Sequence, residues 1–168
     1  NETQILPENR VQQFREQGFT FIETLFDERE LNAMRVELQR FFKEGLIRNV
    51  VTDDDGKTHS ESKFNWQICP ITPHSDFYRS LPFHPKVVAV IRQLIGDPFV
   101  FYLDQIFFKP ARSGRGTGWH QDNAYFKIAD PLKGIALWIA IHDANATNGT
   151  LQIIPSLHHQ SFEHERDA

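Results

Sequence analysis

Hydrophobic positions recur at helical spacing through the first part of the chain and at every second residue through the last part. Pro7 stands where a helix can start, Val11 and Phe14 share a face, and Gly18 supplies a stop, which predicts a first helix. The apolar run Phe19 to Ile22 reads as a short strand. Asp27 and Glu30 then make a capping-box signature, in which each side chain can bond the other's backbone N–H. Leu31, Met34, Leu38, Phe41 and Phe42 follow on one stripe of a second helix, ended by Gly45. Residues 46–82 mix Asp53-Asp54-Asp55-Gly56 with several prolines and show no period, so they read as a long loop of the kind that often covers a site. Pro85 opens another helix whose apolar face is Val87, Val88, Ile91, Leu94 and Ile95; Gly96 ends it and Pro98 forbids continuation.

Beyond Gly96 the period becomes two. Phe99, Phe101, Leu103 and Gln105 fall on one side of a strand, with Val100, Tyr102, Asp104 and Ile106 on the other. Gly134 to Ile141 and Thr150 to Ile154 read as two more strands. Helices followed by strands predict an α+β fold with a mainly antiparallel sheet. Its open edges call for closure, which points to N-terminal helices packed on a jelly-roll barrel. Without repeats or low-complexity stretches, the chain reads as a single domain, with residues 1–97 mainly helical and residues 98–168 the first part of the barrel core.

Composition narrows the function classes. A chain of 168 residues can close one hydrophobic core. Its net charge of −4, with no Lys/Arg run, leaves no footprint for nucleic acid. No stretch reaches the length of a membrane span, and no signal-peptide pattern opens the sequence. The single cysteine, Cys69, precludes an internal disulfide and fits a reducing, cytoplasmic setting. Oligomeric state is not legible.

The candidate chemistry centres on Trp119-His120-Gln121-Asp122. Two apart on an extended strand, His120 and Asp122 would present an imidazole and a carboxylate to one point, a donor pair suited to a divalent first-row metal. By itself H-x-D is a weak signal, and a surface histidine bonded to a nearby aspartate is the plain alternative. Around it stand, in order, Lys109-Pro110-Ala111, a Gly-rich turn from Ser113 to Gly118, Asn123-Ala124-Tyr125-Phe126, Leu137-Trp138-Ile139-Ala140, Asn148-Gly149-Thr150-Leu151 and Ile154-Pro155-Ser156-Leu157-His158. Over residues 99–160 this series resembles the phytanoyl-CoA dioxygenase family, whose members carry a WHQD-type motif, a W-I-A strand, an N-G turn and a P-G-S-H-like segment.

That resemblance implies a double-stranded β-helix (cupin-like) fold, Fe(II) as metal, 2-oxoglutarate as co-substrate, and hydroxylation of a small-molecule substrate with O2. His120 and Asp122 would be the first two iron ligands. Trp138 matches a family aromatic near the 2-oxoglutarate site, with a core tryptophan as the alternative. Gln105 and Lys109 stand where the family places co-substrate or substrate contacts, and Asn123 and Tyr125 follow the pair closely enough to face the substrate or merely to close a turn. The family's second histidine ligand and the arginine for the far carboxylate of 2-oxoglutarate lie beyond the P-G-S-H segment, and neither is present here. The chain thus reads as incomplete at its C-terminus and inactive as given; alternatively another chain completes the site, or His142, His159 or His164 substitutes. Position 142 shares a face with Trp138 on a regular strand.

Rival readings remain. A jelly-roll module that only binds a small acid or a protein would need neither the missing histidine nor the arginine. A metal hydrolase would use the same donors but leaves the W-I-A and N-G segments without a role. Cys69 lacks a nucleophile motif, Gly114, Gly116 and Gly118 precede no Lys-Ser/Thr, and Asp53–Asp55 lacks the ligand ladder of an EF-hand, so the last two read as turns.

Overall fold

The computed structural model describes residues 5–164. Helix α1 (Glu8–Gln17) starts after Pro7 and stops at Gly18, whose φ of 81° lets its N–H return to the Phe14 carbonyl. Helix α2 (Glu28–Lys43) carries the full capping box: Glu30 N–H donates to Asp27 Oδ1 at 2.9 Å, and Asp27 N–H donates to Glu30 Oε2 at 2.7 Å. Its inner face buries Met34, Leu38 and Phe41.

The stretch 46–82 is less loop-like than its sequence suggests. It contains strand β1 (Arg48–Asn49), strand β2 (Trp66–Ile68) and the short helix α3 (Asp76–Ser80), capped by Ser75, whose hydroxyl accepts the Tyr78 N–H. Helix α4 (Pro85–Ile95) follows as expected, and strand β3 (Ile106–Phe108) completes a three-stranded antiparallel sheet in the order β1-β2-β3. Trp66 pairs with Phe108 and Ile68 with Ile106. The rings of Trp66 and Phe108 both meet Phe42 of α2 edge-on, at 5.8 and 5.5 Å. One core therefore joins α2, α3, α4 and the sheet: Phe26, Met34, Leu38, Phe41, Ile47, Ile68, Ile71, Tyr78, Val87 and Ile91.

The α+β class holds, but three expected strands do not form. Phe19 to Ile22, Gly134 to Ile141 and Thr150 to Ile154 have no ladder, and of the stretch from Phe99 to Ile106 only its last residue enters β3. A strand needs a neighbour's N–H and C=O groups, and among the described residues none supplies them, so no barrel closes. The alternation itself survives. Ile135, Leu137, Ile139 and Ile141 pack on the core, while Ala136, Trp138 and Ala140 are exposed. Arg35 of α2 ties this segment down by donating from Nε to the Ile141 carbonyl at 2.5 Å.

The far end of the described chain docks on α1. Ser156 donates its N–H to Gln17 O at 2.9 Å and its hydroxyl to Glu16 O at 3.3 Å, and His158 Nε2 donates to Arg15 O at 3.2 Å. These bonds satisfy carbonyls that a helix C-terminus leaves unpaired. Among the described residues no helix is long and apolar enough to cross a membrane.

Candidate metal centre

The loop that delivers His120 is held at its start by a buried amide. Asn65, 5% exposed, donates from Nδ2 to Arg115 O at 3.0 Å and accepts the Arg115 N–H on Oδ1 at 3.1 Å. Phe64 N–H donates to Ser113 O at 3.0 Å beside it. Gly114 has to be small here, since a Cβ would stand 2.9 Å from the Pro110 carbonyl oxygen. The Gly-rich segment is thus an anchored turn, in keeping with its sequence.

At the end of this loop His120 Nε2 lies 3.4 Å from Asp122 Oδ1. The other ring nitrogen, Nδ1, lies 2.8 Å from Gly118 O. A carbonyl can only accept, so in the neutral ring Nδ1 carries the proton and Nε2 turns a lone pair toward the carboxylate. In that form two electron-rich atoms converge, an arrangement that a proton or a metal cation would complete.

The convergence is reached by a route other than the strand expected from sequence. Asp122 is in the right-handed helical region (φ −52°, ψ −36°) and leads into the short helix α5 (Asn123–Phe126). Its carboxylate caps no helix N–H, which leaves both oxygens uncommitted by backbone. The donor chemistry fits a divalent metal through two ligands. Among the described residues, no group of three His, Cys, Asp or Glu side chains gathers around such a site, so none of His142, His159 and His164 joins the pair here. His164 has both nitrogens engaged, Nε2 with the Gln121 N–H at 2.7 Å and Nδ1 with Phe162 O at 2.9 Å.

The remaining candidates separate. Tyr125, 67% exposed, sets its ring edge-on to His120 at 5.6 Å. Asn123 turns away: its Oδ1 accepts the Ile128 N–H at 2.6 Å and its Nδ2 donates to Ile128 O at 3.3 Å, so its amide closes the turn after α5. Gln105 is exposed and accepts from Gln67 Nε2 at 3.0 Å. Lys109 lies along the Asn148-Gly149 turn; a Cβ on Gly149 would come within 3.2 Å of its Cδ. Trp138 is 51% exposed on the outward face of its segment, which removes the core-tryptophan alternative.

Sequence reading missed Asn65, Gln67 and the several bonds made by Gln121. Amide side chains that pair with distant backbone leave no periodic trace, so no signal in the sequence would have found them. The rival sites fade. Burial, and then the nearby Asp104 carboxylate, push the Cys69 thiol up, which works against an activated nucleophile. Asp55 spends Oδ1 on the N–H groups of Lys57 and Thr58, both at 2.8 Å, and Oδ2 on the Thr58 hydroxyl, as a turn residue does.

Comparison with known proteins places the chain among relatives. The chain is 25% identical over 158 residues to an ectoine dioxygenase of Bordetella bronchiseptica, an alignment covering 92% of this chain and 50% of that protein. Against an ectoine dioxygenase of Streptomyces coelicolor it is 27% identical over 144 residues (84% and 47%). Against phytanoyl-CoA dioxygenase domain-containing protein 1 of Mus musculus it is 37% identical over 125 residues (73% and 41%). The chain spans about half the length of these curated relatives. No solved structure matches it. The model of the family described as Phytanoyl-CoA dioxygenase (PhyH) matches residues 14–168, with His120, Asp122 and the loop that carries them inside the match, and the chain belongs to that family.

Proposed function

We propose that this chain carries the first part of an Fe(II)- and 2-oxoglutarate-dependent dioxygenase site that hydroxylates a small molecule. The observation that supports this reading above others is the His120–Asp122 pair: an imidazole nitrogen 3.4 Å from a carboxylate that caps nothing, in a chain of this family. Fe(II) with 2-oxoglutarate and O2 supplies oxidation of a C–H bond that no side chain could attack by acid–base means. The protein's own share is to hold donors and exclude water. His120 and Asp122 bind the metal, with Nδ1–H of His120 held by Gly118 O so that the ring cannot swivel. Gln105 and Trp138, both exposed, and Lys109 are assigned to the co-substrate, and Tyr125 beside His120 to the substrate. Asn123, its amide committed to Ile128, is assigned to shaping the turn.

Anaerobic titration with Fe(II) and 2-oxoglutarate tests the proposal. A visible iron-to-oxo-acid charge-transfer band that disappears in His120→Ala supports it, and a wild-type chain that never develops the band counts against it. A second reading, a binding module without catalysis, draws on the fact that no three metal donors gather among the described residues. It expects binding of 2-oxoglutarate that is indifferent to both metal and His120.

A further inference from the structure

Gln121 stands between the two proposed ligands in sequence, and it is the most heavily tied residue of the loop. Its amide makes two bonds with a segment about forty residues away: Nε2 donates to Gln160 O at 2.7 Å, and Oε1 accepts the Phe162 N–H at 3.0 Å. The pattern copies one rung of an antiparallel ladder with a side chain in place of a strand. Its backbone is fixed as well. Gln121 N–H donates to His164 Nε2 at 2.7 Å, and Gln121 O accepts the Ala124 N–H at 2.9 Å. His164 is held in the required tautomer, because its Nδ1–H donates to Phe162 O at 2.9 Å.

These bonds act on the directions in which His120 and Asp122 point. The peptide plane between His120 and Gln121 carries the N–H that His164 holds, and the plane between Gln121 and Asp122 carries the C=O that Ala124 holds. With both planes and the side chain between them fixed, little freedom remains in the dihedrals that aim the flanking side chains. Tyr125 closes the arrangement, its ring edge-on both to His120 at 5.6 Å and to His164 at 6.5 Å. Neither Gln121 nor His164 offers a free atom to a metal: the Gln121 amide oxygen and both His164 nitrogens are engaged.

The geometry points to Gln121 and His164 as positioning residues, a clip from segment 160–164 that presets the approach of His120 Nε2 to Asp122 Oδ1. The inference rests on the metal reading of that pair, so its test needs one measurement with metal and one without. With metal, Co(II) alone is titrated into the full chain and followed by its visible d–d absorption. Without metal, the imidazole ¹⁵N signals of His120 and the exchange protection of the Phe162 and Gln121 amides are read by NMR.

Gln121→Leu is expected to lower Co(II) affinity about tenfold, the low end of what outer partners of a metal site contribute, because Gln121 acts through the backbone between the ligands and not on their side chains. It should also erase Phe162 N–H protection and turn the single Nδ1–H tautomer pattern of His120 into an average, while the melting temperature stays close to wild type. His164→Gln keeps an acceptor for the Gln121 N–H and should retain most of the affinity; His164→Leu should lose it. If Gln121→Leu and His164→Leu leave Co(II) affinity and the His120 tautomer unchanged, the clip is only structural and the inference is overturned. If wild type shows no Co(II) band that depends on His120, the metal reading is what fails. An unaltered His120 tautomer in Gln121→Leu would then dismiss the clip as well, and an averaged one would uphold it.

Discussion

A Cβ placed on Gly18 would stand 2.6 Å from the imidazole of His158, so the stop of α1 and the segment docked on it fit together only because one residue has no side chain. Gly18 is also at φ 81°, where any other L-residue is strained. Gly18→Ala should therefore destabilise by roughly 2–4 kcal/mol, strain and overlap together. Gly45 provides the control: its φ is 69° but nothing lies within 4 Å of its Cβ position, so Gly45→Ala should cost only about 1 kcal/mol. Urea unfolding of the two variants measures the difference, and equal losses would contradict the contact.

Asn65 and Arg115 predict a second effect. With Asn65→Leu the N–H and C=O of Arg115 lose their partners at a half-buried point, a cost of about 1–2 kcal/mol. Asn65→Asp keeps the acceptor and loses the donor, and should fall between Leu and wild type in the same unfolding experiment.

How much of this was legible beforehand depends on the range of the interaction. Pro7, Gly18, the Asp27–Glu30 box, Gly45 and Gly96 act within a turn of their own position, and α1, α2 and α4 stand where those residues mark them. Strands β1 and β2 are two and three residues long, too short for a period to show, and exist because β2 pairs with β1 on one side and β3 on the other. In the site, the nearness of His120 and Asp122 was legible from their spacing, and their metal-binding role remains a proposal. The way they meet was not legible, because Asp122 opens a helical turn through its carbonyl bonds to Tyr125 and Phe126, and Gln121 beside it bonds residues about forty positions away.

Asp122 and His120 should matter for metal and little for the fold. The Asp122 side chain is 57% exposed and holds no helix N–H. Asp122→Ala is expected to melt within a few degrees of wild type, whereas saturating Co(II), at a hundred times its Kd, should add about 2.7 kcal/mol to the wild type and nothing to the variant. A variant still stabilised by metal would place the ion elsewhere.

Acid should act through Glu37. The Arg40 guanidinium, and with it the Ser75 hydroxyl at 2.5 Å, hold its carboxyl below the usual glutamate range against the cost of burial. A depressed carboxylate contributes stability that is complete above its unfolded value, roughly pH 4.3, and is lost as pH falls through the folded value. Glu37→Gln should accordingly be less stable near neutrality and show a shallower decline below pH 4.3. Parallel acid limbs for variant and wild type would refute the assignment.

Cys69 should be slow to react. Burial and Asp104 raise its thiol, so little thiolate is present near pH 7. Modification by a disulfide reagent at neutral pH is expected to lag well behind a free thiol and to quicken as pH rises; rapid labelling of the folded chain at pH 7 would reverse this reading.

The segment from Ile135 to Ile141 shows that packing can choose a face without a ladder. Its odd-numbered residues are already seated in the core, and Arg35 grips its last carbonyl, although no neighbouring strand is bonded to it among the described residues. Here the side chains set the face without any ladder among the described residues. Shifting this segment by one residue would lift four aliphatic side chains off the core and turn Trp138 inward, so its register against the helices is fixed. The helical half therefore acts as a jig for this segment, and the side on which the Trp138 indole stands is set by packing alone.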